Sequence, residues 1–250
     1  MLYLIGLGLN EKSLSAEALY AVKKCYRVYL ENYTVNFPYS IEMLEKIIGK
    51  KIISLERKEV ESDKLVKEAI KEDVALLIYG SPLFATTHLS LLLDAKKIGV
   101  KTKVVYNASV FDAIASCGLE LYKFGKITSM PKWIVGKFEP DSFMDIVKEN
   151  QSINAHSLIL CDIGLEFKDA IDELEKSATN KKINLDKIIV CSQLGTFKQT
   201  IIYDNIEKLK SKNEDGKNKI GKGKIEMPFC IIIPAVLHFI EKEALEKFSE

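Results

Sequence analysis

Apolar residues in the first half of the chain fall in short, nearly continuous runs. Between these runs they recur every three or four positions. Leu2–Gly6, Val28–Glu31, Lys51–Leu55, Asp73–Tyr79 and Lys101–Tyr106 read as strands. Ser15–Cys25, Ile41–Ile48, Leu65–Ile70 and Leu89–Ile98 carry helical spacing. Uninterrupted apolar strands between amphipathic helices predict a mainly parallel sheet covered on both faces. From Asn107 to Gly125 the pattern is less regular. Ser109–Ala115 predicts a capped helix there, because a serine hydroxyl satisfies free amides in a first turn. A junction at this point predicts two α/β domains, 1–112 and 113–250. In the second, His156–Cys161, Lys187–Ser192, Thr200–Tyr203 and Phe229–Ile233 predict strands, and Val236–Phe248 a terminal helix.

Composition narrows the classes. Hydrophobic residues make up 47% of the 250 positions, ample for a buried core, and the net charge is only +1. Such a balance argues against a polyanion-binding protein. The five cysteines are scattered without a C-x-x-C, and the three histidines lie far apart. A disulfide framework and a zinc cluster are therefore not expected, and reduced thiols in a cytosolic protein fit. The apolar start, Met1–Leu9, is ended by Glu11 and Lys12. It is too short to span a bilayer and lacks a signal-peptide pattern, so a soluble cytoplasmic protein is expected. One segment stands apart: 207–224 holds seven lysines, three acids and three glycines. Its composition predicts a solvated surface loop, or a contact site for an acidic partner.

Two glycine turns leave the carboxyl ends of predicted strands. Gly6-Leu7-Gly8-Leu9-Asn10-Glu11 follows the first strand, and Gly80-Ser81-Pro82-Leu83-Phe84-Ala85-Thr86-Thr87-His88 the fourth. Open α/β sheets take ligands at that edge, and a Gly-x-Pro turn there is expected to expose backbone amides. The first turn is not a complete dinucleotide fingerprint. Glu11 stands where a third small residue is needed, although Glu31 occupies the place of a ribose-binding acid. An NAD-dependent oxidoreductase and a noncatalytic nucleotide-binding regulator are thus alternatives of different classes. Gly80 and Pro82 also suit a plain turn; Thr86 and Thr87 suit capping or back-bonding in the next helix. His88 is either a base or a structural residue at a helix start. His156 reads as structural, and His238 as a residue of the terminal helix. Asp162, after a strand, either binds a ligand or caps the next segment. No Ser-His-Asp or paired-carboxylate arrangement stands out.

Ile5-Gly6-Leu7-Gly8-Leu9 resembles the opening of the tetrapyrrole-methylase superfamily. The turn Gly80–His88, Ser109-Val110, Leu119–Lys126, Leu160–Ile163 and the stretch Pro228–His238 resemble, in order, the diphthine synthase family within it. The resemblance implies two α/β domains with S-adenosylmethionine bound in a cleft between them and S-adenosylhomocysteine as product. It places cofactor contacts at Leu9, Ser81, Phe84, Ser109, Val110, Cys161, Leu194 and Phe229. The implied reaction methylates the amino group of an aminocarboxypropyl-modified histidine on translation elongation factor 2, giving diphthine in diphthamide biosynthesis. Sibling enzymes methylate corrinoid precursors or ribosomal RNA. A homodimer is implied, with no metal and no direct nucleic-acid contact. The family usually carries Asp where Ser81 stands, so backbone is expected to hold the cofactor at this turn. No catalytic residue is assigned; Asp162 and His88 are candidates to assist proton removal.

Overall fold

Strands β1 (Leu2–Gly6), β2 (Arg27–Glu31), β3 (Ile53–Leu55), β4 (Val74–Ile78) and β5 (Thr102–Val105) form the sheet of the first unit, Met1–Phe111, in the computed structural model. Their order is β3-β2-β4-β1-β5 and every pairing is parallel. All five residues of β1 and of β4 are buried, which is why neither run shows polar alternation. Side chains on a strand point to alternate faces. Tyr3, Ile5, Val28, Leu30, Ala75 and Leu77 therefore pack on one side, with α1 (Ala16–Lys24) and α2 (Ile41–Ile48). Leu2, Leu4, Tyr29, Leu76 and Ile78 pack on the other, with α3 (Arg57–Val60), α4 (Lys64–Glu68) and α5 (Leu89–Lys97). Each fully buried leucine or isoleucine contributes roughly 1.5–3 kcal/mol. Ser15 and Ser40 start α1 and α2 by accepting the N–H groups of Ala18 and Met43. Strand β3 begins two residues later than the pattern predicts, because Glu45 takes the Ile52 N–H at 2.9 Å.

The structure describes residues 1–214, 219–220 and 223–249. Helix α6 (Val110–Ala113) and a 3-10 turn (Ile114–Cys117) follow β5, and the Ser109 hydroxyl accepts the Phe111 N–H at 3.2 Å. The second unit, Asp112–Glu250, is a mixed sheet. It contains β6 (Thr128–Met130), β7 (Ser157–Cys161), β8 (Lys187–Ser192), β9 (Thr200–Asn205) and β12 (Phe229–Ile233), in the order β6-β7-β12-β8-β9. Only the β6–β7 pair among these is parallel. Helices α7 (Phe143–Ser152), α8 (Phe167–Lys181) and α9 (Ile206–Glu214) cover one face, through Phe143, Val147, Ile171, Leu174 and Leu209 among others.

Two expectations are corrected here. The lysine-rich segment is not a loop throughout. Helix α9 occupies 206–214 and buries Ile206 and Leu209, while Lys210 pairs with Asp172 at 2.7 Å and Glu175 at 2.5 Å. Two-residue strands β10 (Lys219–Ile220) and β11 (Gly223–Lys224) pair antiparallel; positions 215–218 and 221–222 lie outside the described residues. The terminal helix, α10 (Phe239–Glu246), is shorter than the predicted 236–248. Its approach is held out of the helix by side chains that take backbone N–H groups: His156 from Ala235, Asn154 from Val236 and Glu241 from His238. His238 accordingly caps the helix instead of lying within it.

Candidate functional site

Three turns meet at the carboxyl edge of the first sheet. Just past β1 and β4, Gly8 and Gly80 exchange both backbone hydrogen bonds at 3.0 Å. Their φ angles are +71° and +70°, which glycine adopts without steric penalty. A Cβ on Gly8 would lie 2.4 Å from that of Ser13, and one on Gly6 would lie 2.7 Å from the Gly80 carbonyl oxygen. The close approach of the two turns therefore requires these glycines. It also engages the Gly80 N–H with Gly8, so that amide is not open to a ligand as its place in the turn suggests. The third turn follows β5. Asn107 Nδ2 donates to the carbonyls of Gly6 at 3.0 Å and Ser13 at 2.9 Å, and the Asn107 N–H donates to Ser81 Oγ at 3.3 Å. Asn107 thus ties the three turns together, and the sequence reading missed it. Its signal was its position, a hydrogen-bonding residue just beyond a strand on the edge shared by both glycine turns.

The five expected contact residues of this unit gather around that knot. Leu9 is buried, and its carbonyl accepts the Tyr79 hydroxyl at 3.1 Å. Ser81 and Ser109 are buried, and a Cβ on Gly80 would fill the space 3.6 Å from Ser109 Cα. Phe84 is 46% exposed, with its ring centroid 5.5 Å from that of Phe111, next to Val110. In the second unit, Cys161 ends β7, Leu194 follows β8 and Phe229 begins β12. Because β12 runs antiparallel to both neighbours, with Phe229 opposite Ser192 and Cys230 opposite Leu160, all three lie at one edge of that sheet. The Gln193 N–H donates to the Pro228 carbonyl at 2.8 Å and joins the Leu194 turn to the start of β12. Phe229 packs edge-on against Phe167, centroids 5.8 Å apart.

Other candidates are placed differently. Glu31, the expected ribose acid, is 1% exposed and faces the equally buried His88, with Oε2 and Nε2 3.2 Å apart. An acid enclosed in this way does not serve a ribose, which removes the main support for NAD. Burial likewise removes His88 from contact with a substrate amine and pushes its pKa down to about 4. The Thr86 hydroxyl, expected to cap or back-bond, is buried without a hydrogen-bond partner among the described residues. Asp162 is exposed but accepts the N–H groups of Ile163 at 2.8 Å and Lys132 at 3.3 Å, as a turn-forming carboxylate does. His156 is structural: Nε2 meets Glu241 Oε1 at 3.0 Å and Nδ1 accepts the Ala235 N–H at 2.9 Å. Lys123, within the run Tyr122–Lys126, pairs with the same glutamate, and a Cβ on Gly125 would strike Asn150 Oδ1 at 2.2 Å. That distinctive run builds the second unit.

The eight expected contact positions offer aliphatic and aromatic side chains, two serine hydroxyls and one thiol, with no charged group among them. Apolar walls with a few polar groups suit a heteroaromatic base, and the absent Cβ of Gly80 leaves a cradle beside Ser109. In the first unit, Leu9, Ser81, Phe84, Ser109 and Val110 by themselves fit an adenine-bearing ligand such as S-adenosylmethionine. Among the described residues no helix is long and apolar enough to cross a membrane.

Comparison with known proteins agrees in kind. Residues 1–210 match the family model of the Tetrapyrrole (Corrin/Porphyrin) Methylases. Diphthine methyl ester synthase 2 of Candida albicans is 46% identical over 167 residues, 65% of this chain and 56% of that protein. Diphthine methyl ester synthase of Homo sapiens is 45% identical over 166 residues, covering 65% and 58%. The matched region therefore spans less than two thirds of these curated relatives. A crystal structure of a diphthine synthase superposes with a TM-score of 0.85 at 31% identity, covering 100% of this chain and 96% of that one.

Proposed function

This chain belongs to the tetrapyrrole (corrin/porphyrin) methylases, and from that premise we propose that it transfers methyl groups from S-adenosylmethionine to a protein. The acceptor is the amino nitrogen of an aminocarboxypropyl-modified histidine on translation elongation factor 2. The observation that carries this reading is full-length likeness to a diphthine synthase in a chain that gathers Leu9, Ser81, Phe84 and Ser109 at one sheet edge. Cytoplasmic location and a homodimer belong to the same proposal.

Bound S-adenosylmethionine supplies a methyl group on an already activated sulfonium. The chain's own task is then mainly orientation, holding reacting atoms about 3–3.5 Å apart. Within the first unit, Leu9 and Phe84 provide apolar surface for the base. The Gly8–Gly80 bridge and the Asn107 bonds keep the turns from shifting under that surface. Proton removal from the amine is assigned to water: His88 is enclosed, and Asp162 is committed to its turn. Asp162→Asn is expected to leave the methylation rate and its pH profile unchanged.

Methyl transfer to elongation factor 2 bearing the aminocarboxypropyl histidine, read by mass spectrometry, tests the assignment. Three added methyl groups would make the product diphthine. A fourth would be the methyl ester after which the curated relatives are named. Calorimetric binding of S-adenosylmethionine without transfer to this substrate would remove the substrate assignment and leave the cofactor one.

A further inference from the structure

A second polar cluster lies at the far end of the Gly80–His88 turn. Glu31 ends β2, the neighbour of β4, and His88 sits between the turn and α5. Both side chains are fully enclosed, with Nε2 and Oε2 3.2 Å apart, yet neither atom makes an aligned hydrogen bond. His88 Nδ1 and the Thr86 hydroxyl are also buried without partners among the described residues. The other Glu31 oxygen is held by the Thr34 hydroxyl. Between the two ends, Leu83 (φ +69°) and Ala85 (φ +51°) occupy the left-handed region, unfavourable for residues that carry a Cβ. Unpartnered buried polar atoms and left-handed non-glycine residues both work against folding. They persist where surrounding structure over-determines them, and they concentrate at functional sites.

Here they flank the segment that presents Ser81 and Phe84. One end of that segment is anchored by Gly80 to Gly8 and by Ser81 to Asn107. The other end is His88 against Glu31. An outer layer, Thr87 to Glu61 at 3.4 Å and Arg57 to Glu61 at 3.8 Å, is exposed and holds little by itself.

We propose that Glu31 and His88 are positioning residues: their buried contact pins the far end of the turn and thereby sets where Phe84 is presented to the cofactor. This rests on reading the turn as part of the S-adenosylmethionine site. A residue pair that acts as one unit gives non-additive effects, and a group that acts on cofactor placement changes affinity without a matching loss of stability.

The test measures calorimetric Kd for S-adenosylmethionine and the melting temperature of the full chain. The variants are Glu31→Gln, His88→Leu and the double variant. Each folded single variant is expected to bind about tenfold more weakly, with the double variant no weaker than the worse single one. His88→Gln, whose amide can still reach Glu31, is expected to recover most of the affinity and also serves if His88→Leu does not fold. Folded variants that bind within about twofold of wild type, or single effects that multiply in the double variant, would overturn the role. A lowered melting temperature with unchanged Kd would do the same. Wild-type protein with no affinity would remove the cofactor reading together with the pair's role.

Discussion

His88 in the first unit and His156 in the second are each buried against a glutamate, at 3.2 and 3.0 Å. The surroundings of the two pairs differ in nearly every other respect. Glu241 accepts from His156 Nε2, the Glu120 N–H, the His238 N–H and Lys123 Nζ, two donors on each oxygen. His156 accepts a backbone N–H on Nδ1, so its ring is the neutral tautomer with the proton on Nε2. Burial alone would raise the Glu241 carboxyl, but Lys123, the two N–H groups and His156 hold it down to about 2. Glu31 has donors on one oxygen only, and His88 has none on either nitrogen. Burial therefore pushes Glu31 up despite the Thr34 hydroxyl and the nearby backbone N–H groups. The same two residue types thus build a satisfied structural network in one unit and a frustrated contact beside the Gly80–His88 turn in the other.

The contrast is broken most directly at Glu241. Glu241→Ala strands a buried histidine, a lysine and two backbone N–H groups, and should lower unfolding free energy by about 3–5 kcal/mol. Denaturant titration checks this; a loss within about 0.5 kcal/mol, the size of an ordinary surface substitution, would mean that the network is ornamental. A change in pH should then separate the two pairs by sign. Glu241 is depressed below the ordinary carboxylate value of 4.5, so its stabilisation is in place above that value and lost as pH falls towards about 2. Glu31 is raised above 4.5; what it contributes is in place below that value and lost as pH rises through its folded pKa. Tyr33, pushed up to about 12, keeps its proton across this window; His88, held down to about 4, changes charge at its acid end in wild type and in Glu31→Gln alike. Melting curves at about pH 3 and about pH 8 should show Glu31→Gln gaining on wild type as pH rises, and Glu241→Gln falling behind. Parallel shifts in both variants would contradict the comparison.

The smallest effect is expected at Ser81. Its hydroxyl receives one long hydrogen bond from Asn107, worth roughly 0.5–1.5 kcal/mol of stability. Ser81→Ala should change S-adenosylmethionine affinity by no more than about threefold, roughly 0.65 kcal/mol. A tenfold loss by calorimetry would show that the Ser81 hydroxyl itself contributes to holding the cofactor.

The first unit was nearly legible in the chain. Continuous apolar runs such as Leu2–Gly6 and Val74–Ile78 have no exposed face, and only a parallel sheet covered on both sides accommodates them. Ser15 and Ser40 marked helix starts through local chemistry. Helix α9 escaped because Ile206 and Leu209, which bury it, are diluted among lysines. The start of α10 escaped because residues far away in the chain, Asn154 and His156, capture its approach.

Local order along the chain therefore determined most of the strands, helices α1, α2, α4 and α5, the glycine turns at the sheet edge and the family likeness, but not β6, α7 or α8. Those features depend on neighbours within a few residues or on periodic patterns. Tertiary structure alone decided which polar residues are satisfied. A hydrogen bond requires particular atoms to meet at close range, and Asn107 with Gly6 and Glu241 with Lys123 meet only after the sheets form. Residue type made both glutamate–histidine pairs possible. The arrangement of distant donors around them made one a structural tie and left the other unsatisfied beside the Gly80 turn.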